Sequence, residues 1–346
     1  MQIQKNIILN IILLALFLFL SRTSPASGEK TLPIQKGICY AAWDKDSYST
    51  PRSDTSLKKL SETGANYVSI IVTQYQDRRD SVEIKLSEIT PSDTSLRHVT
   101  DKAHGLGLKV MLKPHIDILK KDSLSCYRGD ITFKSEEEWA KWFNEYQKFI
   151  LHYATLAESA KVEIFCIGTE LNSTTGKTGQ WKKIIKAIRN AYSGKLVYAS
   201  NWDSYKTIAF WDELDFIGID AYFPLTNKPE PSISEIKLGW EKWKAELRDW
   251  HNNTKKPIII TEIGYPCVTY APATPWECNF SGNAEPEIQA KCYEAFFDTM
   301  WGCPWLSGVY WWRWDTNSYA GGKHNRDFSP QNKPAQKILE KYYKEP

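Results

Sequence analysis

Residues 257–264 read Pro257-Ile-Ile-Ile-Thr-Glu-Ile-Gly264, an apolar run that leads into a glutamate. Such a run is apolar on both faces, which is typical of a strand buried in a parallel sheet. Residues 162–170, Val162-Glu-Ile-Phe-Cys-Ile-Gly-Thr-Glu170, repeat the arrangement earlier in the chain. A carboxylate at the end of an apolar strand is costly unless it has partners or a task. Glu170 and Glu262 therefore indicate either a catalytic pair or two strand ends held by ordinary ion pairs.

Strand patterns of this kind alternate with helical patterns along the rest of the chain. The predicted strands are Gly37–Ala42, Tyr67–Thr73, Lys109–Pro114, Glu163–Gly168, Leu196–Ser200, Phe216–Tyr222, Pro257–Thr261 and Gly308–Trp312. The predicted helices are Ser53–Thr63, Ser92–Gly105, Ser135–Glu158, Thr178–Tyr192, Ser232–His251, Glu285–Met300 and Pro334–Tyr343, with a weaker pattern at Ser204–Leu214.

This alternation predicts an α/β fold, a single-domain (β/α)8 TIM barrel, because the chain length is near that of typical barrels. A doubly wound open sheet is the alternative, but no Gly-x-Gly-x-x-Gly fingerprint follows the first strand. Residues 29–346 are predicted to form the one barrel domain, because no linker-like change of composition interrupts them.

Residues 1–28 are predicted to be a secretory signal peptide. Lys5 precedes an apolar run from Ile7 to Leu20, and a small, polar stretch follows as far as Gly28. The alternative is an uncleaved N-terminal anchor, although the run is somewhat short for a full span. We therefore expect a protein that is secreted or periplasmic.

The charge balance gives no sign of a nucleic acid or an acidic membrane as partner. The full sequence has a formal charge of +3, which falls to +1 once Lys5 and Arg22 are removed with the leader, since no acid is lost. A near-neutral chain without a block of Lys and Arg does not predict such partners. We expect a monomer.

The cysteines and histidines show no metal-ligand spacing. No Cys-x-x-Cys occurs among the seven cysteines, and the six histidines are not paired at ligand distances, so neither a metal nor another cofactor is predicted. Export permits disulfides, and the odd number leaves at least one thiol free. One or two bridges are predicted within a cluster in the last third of the chain, with the pairing left open: Cys267, Cys278, Cys292 and Cys303.

In a barrel, Glu170 ends the fourth strand and Glu262 ends the seventh. Both would project at the C-terminal mouth, where barrels of this kind carry their chemistry. Carboxyl groups about 5–5.5 Å apart suit a double-displacement glycosidase, in which one of them attacks the anomeric carbon. Their like charges also separate their pKa values, so that one group can remain a protonated acid while the other is ionised.

Five segments carry a resemblance to a known family: Gly168-Thr-Glu-Leu171, Tyr198-Ala-Ser-Asn-Trp202, Phe210-Trp-Asp-Glu-Leu-Asp-Phe-Ile-Gly-Ile-Asp-Ala-Tyr-Phe-Pro-Leu225, Ile260-Thr-Glu-Ile-Gly-Tyr265 and Phe328-Ser-Pro-Gln-Asn-Lys-Pro-Ala335. In order and spacing they resemble the retaining glycosidases of the large (β/α)8 clan, most closely glycoside hydrolase family 113, the β-mannanase family. The Thr-Glu-Ile-Gly motif is shared across the clan. The strand-six block with Asp-Ala-Tyr-Phe-Pro-Leu is more specific.

The resemblance implies a retaining endo-β-1,4-mannanase without a cofactor. Its substrate would be a β-mannan-type polysaccharide or oligosaccharide: mannan, glucomannan or galactomannan. Glu170 would be the general acid/base and Glu262 the nucleophile. Tyr222, at the end of the sixth strand, would keep the nucleophile ionised and aimed.

One position departs from the clan pattern. The clan commonly has Asn immediately before the acid/base, where it holds the sugar 2-hydroxyl, whereas this chain has Thr169. Asn201 and Asn172 are the nearby candidates for that contact.

A polysaccharide cleft is expected to present aromatic rings to the apolar faces of sugars. Strand alternation places Trp312 and Trp314 on one face of the eighth strand and Trp311 on the other. The resemblance favours one of these rings under the sugar, and we assign Trp311, with Trp312 kept beside it. Further candidate contacts at the mouth are Trp43, Trp202, Lys113 and His115, the last two as donors to sugar hydroxyls.

Two alternatives stay open. The first is another β-glycanase or an exo-acting mannosidase, because the loops set the subsite length and the recognition of the axial 2-hydroxyl. The second is a barrel that binds carbohydrate without cleaving it, and the presence of both Glu170 and Glu262 argues against it.

Overall fold

Eight parallel strands close into a barrel in the computed structural model, which describes residues 34–123, 126–278 and 280–345. The strands are β1 Gln35–Ala41, β2 Tyr67–Gln76, β3 Lys109–Ile118, β4 Ile164–Thr169, β5 Lys195–Asn201, β6 Phe216–Asp220, β7 Ile258–Ile263 and β8 Leu306–Asp315. Each strand pairs with the next in the chain, and β8 pairs with β1. The predicted (β/α)8 barrel is confirmed. The predicted signal peptide lies outside the described residues, so export stays a prediction.

A ring of helices surrounds the barrel. They are α1 Pro51–Ser61, α2 Asp93–Gly105, α3 Glu136–Ser159, α4 Thr178–Ala191, α5 Ile233–Thr254, α6 Pro286–Met300 and α7 Pro334–Lys344. Capping boxes fix the starts of the two long helices, since Ser135 and Ser232 each accept a hydrogen bond from the backbone N–H of a glutamate three residues on.

The helix that the weak pattern at Ser204–Leu214 predicts between β5 and β6 does not form. The chain forms two short 3-10 turns there, Tyr205–Thr207 and Trp211–Glu213. The indole N–H of Trp211 donates to the backbone carbonyl of Tyr205 at 2.9 Å. In an α-helix that carbonyl would accept from the backbone four residues on, so burial of the Trp211 ring takes the place of a helical hydrogen bond.

The strands bury side chains on both of their faces, as their double-sided apolar pattern predicts. One set, which includes Met111, Cys166, Val197 and Ile259, fills the inside of the barrel. The alternate residues pack outward under the helices as part of a larger core. Three buried charged side chains described below also belong to strands: Lys113 in the middle of β3, Asp220 at the end of β6 and Glu262 near the end of β7.

The last strand departs from simple alternation. Ile38 of β1 pairs with Trp311, but two residues later Tyr40 pairs with Trp314, so β8 contains one residue more than its neighbour over this stretch. Trp312 consequently packs with the barrel interior, whereas the Trp314 indole N–H bonds the Ser56 hydroxyl of α1 at 3.0 Å. The prediction that Trp312 and Trp314 share a face is wrong because of this shift.

All seven cysteines lie within the described residues, and none of them forms a disulfide there. The predicted bridges are therefore absent from the structure. Cys267 and Cys292 are buried, while Cys278 is exposed and turns its thiol toward the carbonyl of Trp276 at 3.5 Å. The cluster seen in the sequence is thus divided among core and surface positions.

Two features are missing from the described residues. None of the helices there combines the length and the apolar character needed to cross a membrane. Nor do three or more His, Cys, Asp or Glu side chains of the described residues converge in a way that could hold a metal ion.

We predict that Gly239→Ala destabilises the fold. A methyl group at Gly239 in α5 would lie 2.2 Å from the backbone oxygen of Leu225, and backbone cannot move aside as a flexible side chain can. Overpacking of this kind costs about 1–3 kcal/mol, so the midpoint of urea unfolding should fall. Gly179→Ala in α4 is the control: nothing lies within 4 Å of its added carbon, and the midpoint should stay or rise. An unchanged midpoint for Gly239→Ala would contradict the packing argument.

Candidate active site

Glu170 immediately follows β4 in a left-handed backbone conformation, with φ of 52°. This conformation is unusual for a residue with a side chain and costs on the order of 1–3 kcal/mol. Two contacts with β5 hold it: the Glu170 N–H donates to the Ala199 carbonyl at 2.8 Å, and the next N–H, of Leu171, donates to the Tyr198 hydroxyl at 2.9 Å. The neighbouring strand therefore holds the backbone of this glutamate in place.

Glu262 lies near the end of β7, and both of its carboxylate oxygens accept hydrogen bonds. The ammonium of Lys113 lies 2.5 Å from Oε1, and the Tyr222 hydroxyl donates to Oε2 at 2.8 Å. Burial, together with the Glu262 carboxylate, raises the pKa of Tyr222 well above its usual value, so its hydroxyl keeps the proton that it donates. The carboxylate is thus held from two sides in an almost fully buried position.

Lys113 is not a sugar contact in this structure. Its side chain is fully buried on β3 and reaches both Glu262 and Asp220, the last residue of β6, at 3.1 Å from Asp220 Oδ1. Burial by itself would lower the pKa of Lys113, but the carboxylates of Asp220 and Glu262 outweigh it and raise that pKa. The prediction that Lys113 donates to a sugar hydroxyl is wrong, because the two carboxylates occupy its donors.

Arg128 is the cation nearest to Glu170. It belongs to a 3-10 turn between β3 and α3, and its Nη2 lies 3.7 Å from Glu170 Oε2. Burial raises the pKa of Glu170, Arg128 opposes that rise, and the charge of Glu262 adds to it. The net direction is upward, which favours Glu170 as the carboxyl that keeps a proton.

Trp312 and His115 line the mouth beside Glu262. Their rings are nearly parallel, with centroids 6.3 Å apart and planes at 11°. His115 Nε2 lies 3.8 Å from Glu262 Oε1 and makes no hydrogen bond within the described residues. Burial, with help from Arg128 and Lys113, lowers the pKa of His115 well below its usual value. A neutral imidazole with an unused nitrogen is available to a hydroxyl group, so this contact stays a prediction.

Trp311, assigned from the sequence as the ring under the sugar, does not line the mouth of the barrel. It is fully buried, and its ring stacks on Tyr293 of α6 with centroids 3.7 Å apart. Its side chain therefore points outward from β8 into the helix layer, where no sugar can reach it. The assignment of Trp311 as the sugar platform is wrong, and the pleat gives that position to Trp312.

The two asparagines meet at one tyrosine. Asn172 donates to the Tyr127 hydroxyl at 3.0 Å, and Asn201 lies 3.4 Å from the same oxygen. Asn172 Oδ1 is buried and has no hydrogen-bond partner within the described residues. Asn201 uses its own Oδ1 to accept from the Trp202 N–H at 2.9 Å. Asn172 thus keeps an unused acceptor near Glu170, and recognition of the 2-hydroxyl stays a prediction for both residues.

Exposed aromatic rings stand on loops that follow the carboxyl ends of the strands. Trp43 is 40% exposed, and the Arg313 guanidinium lies 4.7 Å from its ring centre. Trp202 stacks on Trp276, with centroids 5.6 Å apart and planes at 20°, and Trp276 is 43% exposed. Large exposed rings of this kind suit contact with a sugar chain.

Sequence reasoning missed four residues of this site: Asp220, Arg128, Tyr127 and Trp276. Asp220 had the same signal as the two glutamates, an acid at the end of an apolar strand. The other three lie in loops, where no periodic pattern marks them.

The sequence profile and two solved structures indicate the same family. The sequence profile of Glycoside Hydrolase Family 113 matches residues 39–333. The family 113 β-mannanase from Alicyclobacillus acidocaldarius, in complex with ManMIm, has a TM-score of 0.82 at 26% identity over 90% of this chain and 97% of that one. A second family 113 β-1,4-mannanase, also a complex, has a TM-score of 0.82 at 25% identity over 91% and 100% of the two chains.

More distant matches show the fold alone. A family 5 mannosidase from Rhizomucor miehei has a TM-score of 0.62 at 11% identity over 91% of this chain and 94% of that one. No curated protein sequence matches the chain significantly.

We predict that Arg128→Met raises the pKa of Glu170 further. The guanidinium is the main group that opposes the effect of burial there, and loss of a neighbouring opposite charge shifts a carboxyl by about 1–3 units. Carboxyl resonances of ¹³C-labelled glutamate, assigned with Glu170→Gln, would show the titration. Arg313→Met is the matched control, because Arg313 pairs with Asp315 and Asp327 at 3.7 Å instead. If the pKa of Glu170 in Arg128→Met is unchanged or lower than in the wild type, the assigned role of Arg128 is contradicted.

Proposed function

The chain belongs to glycoside hydrolase family 113, and from that premise we propose that it is a retaining endo-β-1,4-mannanase acting on mannan, glucomannan or galactomannan. The observation that carries the proposal is the contrast between two carboxyl groups at the mouth of the barrel. Glu262 is held by an ammonium and a hydroxyl. Glu170 is buried with its pKa raised. One environment suits a nucleophile and the other an acid.

In the first step, Glu262 attacks the anomeric carbon while Glu170 gives its proton to the departing glycosidic oxygen. The carbon–oxygen bond to the leaving sugar breaks as the bond to the Glu262 carboxylate forms. Each oxygen of Glu262 has one hydrogen bond in the structure, so lone pairs remain for the attack.

In the second step, Glu170 is a carboxylate and takes a proton from water, whose oxygen attacks the same carbon. The bond to Glu262 breaks, and the carboxylate returns to Lys113 and Tyr222. Those two donors stabilise the charge that develops on the leaving carboxylate. The product keeps the anomeric configuration of the substrate, because the carbon has been inverted twice.

The positions of the aromatic residues support cleavage at an internal bond of a polysaccharide, with sugars bound on both sides of that bond. Trp312 and His115 stand beside the nucleophile. Trp202 follows β5, and β5 holds the backbone of the acid/base. The departing sugar leaves from the side of the acid, so the stacked pair Trp202 and Trp276 is suited to the part of the chain that leaves.

We predict that galactomannan and glucomannan are cleaved into oligosaccharides, and that Glu262→Ala abolishes this. Glu170→Ala should lose about 10²–10⁴-fold on polysaccharide but keep cleavage of aryl mannosides whose leaving group needs no protonation. Added azide should then yield a β-mannosyl azide with Glu170→Ala. Reducing-sugar release and product analysis measure each result.

Glu163→Gln is the matched control. Glu163 lies immediately before the first residue of β4, at the end of the strand away from Glu170, and accepts a hydrogen bond from the Val110 N–H at 2.8 Å. Its turnover should be that of the wild type. Cleavage of xylan or cellulose with mannan inert would refute the substrate, single mannose units from chain ends would refute endo action, and no release from any polysaccharide would indicate a binding barrel. A fully active Glu262→Ala enzyme would refute the nucleophile.

We predict that Trp276→Ala raises KM for long mannooligosaccharides and leaves kcat on a small aryl mannoside unchanged. Loss of an aromatic contact of about 0.5–1.5 kcal/mol corresponds to roughly 2- to 12-fold in affinity. Leu238→Ala, which removes a side chain 73% exposed on α5, is the control and should change neither. Equal KM values for wild type and Trp276→Ala on the long substrate would exclude Trp276 from the cleft.

A further inference from the structure

A third buried carboxylate, that of Asp220, lies under the two glutamates, and neither chemical step uses it. Its Oδ1 and Oδ2 lie 3.1 and 3.3 Å from the Lys113 ammonium, and the Thr261 hydroxyl donates to Oδ1 at 2.8 Å. Every hydrogen bond that Asp220 makes through its side chain within the described residues thus comes from a donor. Burial and the charge of Glu262 raise the pKa of Asp220, and Lys113 and the Thr261 hydroxyl oppose that rise. A carboxylate that only accepts hydrogen bonds is the pattern of an ionised group, and on this geometry Asp220 is the ionised member.

The charges of this cluster nearly cancel. It contains two cations, Lys113 and Arg128, and three carboxyl groups, Glu170, Asp220 and Glu262. Since an unbalanced charge is costly in a buried site, the neutral state has one carboxyl protonated. This is the state that the first chemical step needs.

The distances select which carboxyl keeps that proton. Lys113 lies 2.5 Å from Glu262 and 3.1 Å from Asp220, whereas Glu170 has only Arg128, at 3.7 Å. An opposite charge stabilises an ionised carboxylate more strongly at shorter range. By distance, Glu170 is therefore the carboxyl with the weakest ionic partner, and the geometry assigns the proton to it.

We propose that Lys113 and Asp220 form a positioning pair that sets the charge of the site, so that Glu262 is ionised while the one remaining proton stays on Glu170. This inference rests on the proposed function, because it gives the two glutamates their roles. Lys113 neutralises the nucleophile, and Asp220 supplies the negative charge that keeps the acid from ionising. Without Asp220, two cations would face two glutamates, and the neutral state would have both of them ionised.

The other titratable groups around the cluster leave this balance intact. Burial lowers the pKa of His115 and raises those of Tyr222, Cys39 and Cys166, so all four are neutral. Two further charged groups act on the cluster, Asp117 on Arg128 and Asp203 on Glu170, and both are less buried than its members, so water screens them.

A purely structural ion pair is the competing explanation, and variants of opposite charge separate the two. In the pH profile of kcat/KM, the acid limb reports ionisation of the nucleophile and the alkaline limb reports loss of the acid's proton. Lys113→Met removes a cation, so both glutamates become harder to ionise and both limbs should move to higher pH, the acid limb by about 1–3 units. Asp220→Asn removes an anion, so both limbs should move to lower pH.

The double variant, Lys113→Met with Asp220→Asn, is the decisive arm. It loses one charge of each sign, so both limbs should return toward the wild-type positions even though two buried contacts are gone. A structural pair would lower stability in all three variants and would not move the limbs in opposite directions. Thermal unfolding of each variant records the stability separately.

Several results would overturn the inference. The first is a folded Lys113→Met enzyme whose limbs lie at the wild-type pH values. The second is an Asp220→Asn enzyme whose limbs are unmoved or lie at higher pH. The third is a double variant whose limbs match those of Lys113→Met. If Lys113→Met does not fold, Asp220→Asn alone decides by the direction of its shift. Titration of ¹³C-labelled glutamate carboxyls reads Glu170 and Glu262 without turnover. A wild type that cleaves no mannan therefore refutes the proposed function, while the charge assignment is still tested.

Discussion

The contact between Lys113 and Glu262 is the constraint on which the rest of the site depends. It joins β3 to β7 across the inside of the barrel, and Asp220 brings β6 to the same ammonium. Taking three charges out of water is unfavourable unless they compensate one another at short range. A closed barrel meets this condition, because its strands hold the three side chains in fixed positions while apolar residues fill the space below them.

The position of Glu262, the proposed nucleophile, determines how its neighbours must be arranged. A carboxylate that already accepts from Lys113 and Tyr222 has little freedom to rotate, so the substrate must come to it. Trp312 and His115 form the wall against which a sugar would lie. Glu170 approaches from the end of β4 with weaker compensation for its charge. The proposed division of roles thus rests on the unequal pairing of two similar side chains.

The repeating elements of the fold could be predicted because their causes are local. Strands such as Ile258–Ile263 can be recognised because isoleucines lie on both of their faces, and a glutamate is unusual in such a run. The failures have long-range causes. The pairing of Lys113 with Glu262 spans 149 residues, and the face of Trp314 depends on a register shift against β1. In the Ser204–Leu214 connection, the Tyr205 carbonyl accepts from the distant indole of Trp211 and not from a helical N–H. Residues in loops, such as Arg128 and Trp276, lack any periodicity that could mark them.

The left-handed backbone at Glu170 has a consequence for how such an enzyme can change over time. Glycine adopts that conformation without steric cost, so Glu170→Gly, which would remove the proposed acid, also relieves backbone strain. At position 170, stability favours glycine, whereas the proposed chemistry requires glutamate. On the proposed assignment, a sugar-binding relative without activity lies one substitution from this chain, and the chemistry, not the fold, accounts for a glutamate at this position.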